Sequence, residues 1–68
     1  MAKIKFVRKY KMYRNTWIDI VYESGRVVTL EKHDVPKTVK AFIKGKKAID
    51  QYDPVYKRNE TIYKEGEN

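Results

Sequence analysis

Apolar and polar positions alternate from the start of the chain. Ile4, Phe6, Tyr10 and Met12 share even positions, and Lys3, Lys5, Lys9 and Lys11 share odd ones. This period of two predicts a half-buried strand over residues 3–13. Arg8 interrupts its apolar side and Val7 its charged side. Arg14-Asn15-Thr16 is then expected to turn the chain, with Asn15 able to take positive φ. A second strand is predicted from Trp17 to Tyr22. Glu23-Ser24-Gly25 follows as a three-residue hairpin loop, with Gly25 in the left-handed position. The third strand is predicted from Arg26 to Lys32.

Loop length sets register. Three-residue loops would pair Met12 with Ile18, Tyr10 with Ile20, Ile20 with Val28 and Ile18 with Leu30. All of these would share one apolar face. The opposite face would then carry Lys9, Lys11, Tyr13, Trp17, Asp19, Val21, Val27 and Thr29. Tyr13 would stand across from Trp17, and Lys11 across from Asp19.

After residue 36 the period changes to 3.6. Val39, Phe42, Ile43, Ile49 and Tyr52 fall on one helical face, with Lys37, Lys40, Lys44 and Lys47 on the other. Asp34-Val35-Pro36 supplies a helix start, since proline suits the first turn and aspartate accepts from free amides there. The pattern favours one helix to about Gln51. The other reading ends the helix at Lys44, before Gly45, and makes Ala48 to Tyr52 a strand. Asp53-Pro54 is a break. Val55-Tyr56 and Thr61-Ile62-Tyr63 then form a short hairpin or one edge strand. The expected architecture is α+β: a three-stranded antiparallel sheet made of two hairpins, one helix across it, and a short C-terminal β segment. Residues 1–63 are expected to form one compact basic domain, and residues 64–68 a frayed tail.

Composition narrows the class. The chain has 68 residues and no cysteine. A domain this small has a modest core, and no disulfide or thiolate metal site can staple it, so monomer and homodimer are both open. Its apolar residues are mostly β-branched or aromatic, which suits strands. No segment is long and apolar enough to cross a bilayer, and no apolar run follows the basic start as in a signal peptide. A cytoplasmic protein with no membrane partner is the expectation.

Charge adds the functional clue. The formal net charge is +7. Residues 1–16 hold six basic side chains and no acidic one, and residues 36–50 hold a second excess of lysine. In the first block the charges are interleaved with Phe6, Tyr10 and Tyr13, and Trp17 follows. Phosphates attract such charges while bases stack on such rings. The candidate nucleic-acid-binding residues are therefore Lys5, Arg8, Lys9, Lys11, Tyr13, Arg14 and Trp17, with Lys40, Lys44 and Lys47 from the helix. Lysines on an exposed strand also guard against edge pairing, and a lysine stripe on a helix is commonly a solvated face.

Catalytic motifs are missing from the sequence. His33 is the single histidine, with no second histidine or cysteine to complete a metal site. There is no glycine-rich phosphate loop or nucleophile elbow. The chain is read as non-enzymatic, with no cofactor and no metal.

A hairpin, a third strand and then a helix, with Glu31-Lys32-His33-Asp34-Val35-Pro36-Lys37 at the join, is similar in layout to the small archaeal chromatin proteins. The likeness spans roughly half the chain. That family has an extra N-terminal hairpin and lacks a C-terminal segment like this one. The likeness implies no role for any single residue.

The function expected from these features is largely sequence-tolerant nucleic-acid binding on a basic, aromatic sheet face. Charge without a base-reading motif leans toward duplex DNA over RNA. The alternative is a protein-binding modulator or inhibitor, encoded by a phage or mobile element and aimed at a host nucleic-acid enzyme. Six tyrosines in so short a chain support it, because tyrosine and arginine also favour protein interfaces. An acidic or nucleic-acid-processing protein would then be the partner.

Overall fold

The computed structural model describes residues 3–64. Five strands form one antiparallel sheet: β1 (Ile4–Met12), β2 (Asn15–Tyr22), β3 (Val27–Glu31), β4 (Ala48–Asp53) and β5 (Arg58–Lys64). Their order across the sheet is β3-β2-β1-β5-β4. A single helix, α1 (Lys37–Ile43), lies between β3 and β4 in the chain, after a 3-10 turn at Lys32–Asp34. The sheet is thus five-stranded where the sequence pattern suggests three. The C-terminal segment is a full hairpin that docks on β1, with Val7 opposite Tyr63 and Arg8 opposite Ile62. Lys64, placed in the frayed tail by sequence, pairs with Phe6; the rest of that tail lies outside the described residues.

The helix is short because Gly45 stops it. Lys44 leaves the helical region, and Gly45 takes φ +83°. The amides of Lys44 and Lys46 donate back to the carbonyls of Lys40 and Ile43, so a left-handed glycine closes the last turn. The continuous helix to Gln51 is therefore replaced by its alternative, a strand from Ala48. Pro36 serves as N-cap, and its carbonyl accepts from the amides of Val39 and Lys40. Asp34 sits in the preceding 3-10 turn and caps nothing.

The first hairpin departs from expectation by one residue. Tyr13 and Arg14 form a two-residue turn with φ of 53° and 69°, the signature of a type I′ turn. Met12 therefore pairs with Asn15, Tyr10 with Trp17, Lys9 with Ile18 and Val7 with Ile20. A slip of one residue turns every side chain of a strand to the other face. Val7, Lys9 and Lys11 thus face the helix side, and Phe6, Arg8, Tyr10 and Met12 face away. An irregularity between Ile4 and Phe6 restores Ile4 to the helix side. The second hairpin follows its prediction: Gly25 has φ +96°, Ile20 pairs with Val28 and Ile18 with Leu30.

The core lies between α1 and the β3-β2-β1 half of the sheet. Val7, Ile18, Ile20, Val35 and Val39 are buried there, with Ile4, Tyr22, Val28, Leu30, Phe42, Ile43 and Tyr63 packed around them. Phe42, on the apolar face predicted for the helix, is half-buried, with the Lys46 ammonium 4.5 Å from its ring centroid. Val7, an apparent break in the pattern, is fully buried.

Candidate nucleic-acid interface

The two faces of the sheet treat charge differently. On the face away from the helix, Asp19 is buried and collects three donors. Arg8 donates through Nε and Nη2 at 3.1 and 2.9 Å, Tyr10 Oη at 2.9 Å and Thr29 Oγ1 at 2.8 Å. Glu60, also buried, accepts from Arg58 Nε at 3.2 Å and from Gln51 Nε2 at 3.5 Å. The Arg58 guanidinium joins the two groups, lying 3.6 Å from the Tyr10 ring centroid and 4.6 Å from that of Tyr56. Burial, reinforced by the bond to Asp19, pushes the Tyr10 hydroxyl pKa up. A polar chain thus crosses all five strands, and no buried side-chain polar atom among the described residues lacks a partner.

The helix-side face is organised otherwise. Because α1 spans only seven residues, it leaves the β5–β4 half of the sheet uncovered. A groove of about 930 Å³ opens there, with Lys9, Lys11, Lys32, Asp50, Tyr52 and Thr61 among its lining residues. A second recess of about 550 Å³ runs under the helix, lined in part by Arg14, Lys40, Ile43 and Tyr63. The two adjoin at Lys9, Thr16 and Lys32, which line both, and together they make up a trough. Lys9, Lys11, Arg14, Lys32 and Lys40 have no carboxylate partner among the described residues. Of the acids beside them, Asp50 accepts from Thr61 Oγ1 at 2.9 Å, and Glu31 faces His33 Nε2 at 3.0 Å. Tyr63 and Tyr52 are among the trough's lining residues. Tyr63 lies with the Lys9 ammonium 5.9 Å from its centroid, and Tyr52 on β4 is 58% exposed.

The structure brings Lys9, Lys11, Arg14 and Lys40 together and sets the other sequence candidates apart. Arg8 is committed to Asp19 on the opposite face. Trp17 is on that face too, half-buried, its Nε1 donating to the Met12 carbonyl at 3.0 Å. It does face away from the helix, but Lys9 and Lys11 are not beside it, because the I′ turn moves them to the other side. Asp19 accordingly stands opposite Arg8, not Lys11. Tyr13 projects from the turn, 83% exposed. Lys5 is exposed at the irregularity in β1, and Lys44 and Lys47 are exposed between α1 and β4; none of the three lines the trough.

Sequence reasoning misses Lys32, Tyr52 and Tyr63. The strand reading of residues 48–52 was the available signal for Tyr52, since it places Asp50 and Tyr52 on one face. Nothing local marks Lys32. His33 also has more company than its sequence context suggests: the ligand-capable atoms of Glu31, His33 and Asp34 lie within 4.8 Å of one another. Both carboxylates lean on the same ring nitrogen, at 3.0 and 3.8 Å, and His33 is exposed, so the group is a charge cluster at the β3–α1 join.

No protein family matches the sequence, and no curated protein or solved structure matches the chain. No helix among the described residues is long and apolar enough to cross a membrane.

Proposed function

We propose that the protein is a non-enzymatic, largely sequence-tolerant nucleic-acid-binding module of the cytoplasm, and that the helix-side trough is its binding surface. One observation carries this reading. Lys9, Lys11, Arg14, Lys32 and Lys40 come from the first hairpin, the 3-10 turn and the helix and line one trough beside exposed tyrosine, with no carboxylate partner among the described residues, while Arg8 and Arg58 of the opposite face are paired with buried acids. Unpaired cations beside rings suit a phosphate backbone with stacked bases. Among the described residues nothing in the trough resembles a base-reading helix, so binding rests on the backbone and tolerates sequence.

The test is a titration with labelled single strands and duplexes over a range of salt. If most of the trough cations contact phosphate, log K should fall with log salt with a slope of roughly −3. Failure to bind any nucleic acid at low salt would overturn the proposal.

A second reading, a protein-binding modulator, draws on a different surface. Val55 and Tyr56 at the tip of the β4–β5 hairpin are 79% and 67% exposed, and aromatic residues of this kind anchor protein interfaces. It predicts a partner whose binding is lost on Tyr56→Ala and is indifferent to charge changes in the trough. A pulldown with both variants separates the two readings.

A further inference from the structure

Resting on the nucleic-acid reading above, we infer that the trough takes a single strand, with Tyr52 as the ring on which a base stacks. Width separates a single strand from a duplex here. The floor is β1 and β5, one wall is the helix over β2, and the other is the edge strand β4. From β2 to β4 is three strand spacings, about 14 Å between backbones. Side chains on both walls narrow that further. A single strand lies in such a channel; a duplex is wider and reaches only its rim.

The chemistry of the channel agrees with its width. Lys9 stands at the centre of the floor, shared by both halves of the trough. Lys40 stands on the helix wall and Tyr52 on the opposite one. Tyr52 sits directly across from Asn59, its face open to solvent and 58% of its surface exposed. No hydrogen bond or ring contact among the described residues holds it. A ring left free beside a line of cations is the arrangement that nonspecific single-strand binders use: charge tracks the backbone while the ring accepts any base. Duplexed bases are already stacked and offer Tyr52 nothing.

The experiment compares short labelled oligo-dT, oligo-U and a blunt duplex with equal phosphate number, at one low salt concentration. The expected result is tighter binding of single strands than of duplex. Tyr52→Ala should weaken single-strand binding about 5- to 150-fold and leave duplex binding unchanged. Tyr52→Phe should restore single-strand affinity, since it keeps the ring. Comparing oligo-dT with oligo-U shows whether the 2′-hydroxyl matters. Tyr52 lies on an exposed edge strand, so thermal unfolding of the variants should match the parent and serves as the control. Duplex binding as tight as single-strand binding, with Tyr52→Ala silent, would overturn the inference while the nucleic-acid reading stands. No binding to any of the three probes would overturn both.

Discussion

At the scale of single residues, Asp19 does the most. It sits between Ile18 and Ile20 in an apolar strand, and its carboxylate satisfies Arg8, Tyr10 and Thr29 together. Asp19→Ala should therefore destabilise the fold by about 3 kcal/mol, at the low end for a broken buried pair because Arg8 keeps some access to water. Denaturant midpoints measure this. Tyr10 gives a pH-dependent counterpart. Its hydroxyl pKa is held above the ordinary 10.0, first by burial and then by the bond to Asp19. The unfolded chain thus loses this proton first, so the contribution is whole below about pH 10 and fades as pH rises through the folded value. Tyr10→Phe should be less stable by about 1–2 kcal/mol at neutral pH, and the gap should close above pH 10. A gap that stays constant would show that the hydroxyl is not held as described. Both oddities are visible in the sequence, as Arg8 among apolar residues and Asp19 between isoleucines. Their pairing is not, because it depends on a register that one turn decides.

At the scale of elements, two small features set the architecture. The first is the Tyr13-Arg14 turn. Neither residue is a usual choice for positive φ, so the sequence points to Asn15 instead and shifts β1 by one position. Such conformations cost about 1 kcal/mol or more each in residues other than glycine. Tyr13→Asn with Arg14→Gly should accordingly raise stability by about 1 kcal/mol or more while keeping the register; a loss of stability would argue against a I′ turn. The second is Gly45. Ile49 and Tyr52 continue the helical stripe by spacing, yet they also alternate as a strand, and periodicity cannot separate the two over so few residues. The left-handed glycine decides for the strand. Open space surrounds its Cα, so Gly45→Ala should destabilise through backbone strain alone, by about 1 kcal/mol. The second hairpin and the core positions Ile18, Ile20, Val28, Leu30 and Val39 were legible, because Gly25 marks its turn and the alternation there is unbroken.

At the scale of the whole molecule, the fold sorts charge between two faces. Arg8 and Arg58 are paired with buried acids on one, while Lys9, Lys11, Arg14, Lys32 and Lys40 line the trough on the other with no carboxylate partner among the described residues. The basic composition is the reason to propose an interaction surface, but it does not say which basic residues would compose it. That follows from β5 docking on β1 and from a helix too short to cover the sheet, and neither is written in local pattern. Ile20 holds the layers together; it is almost fully buried, and Ile20→Ala should cost about 2–5 kcal/mol, enough to unfold much of the population of a domain this small.

The central claim, that the trough and not the basic composition as a whole binds nucleic acid, is tested most directly by the salt dependence of binding in two matched double variants. Lys9→Ala with Lys40→Ala removes two trough cations, and Lys44→Ala with Lys47→Ala removes two exposed lysines outside it. Net charge changes equally in both. The trough pair should lower affinity strongly and reduce the salt slope by roughly 1.4, while the outside pair should leave the slope close to that of the parent. Equal loss of affinity and slope in the two variants would contradict the account.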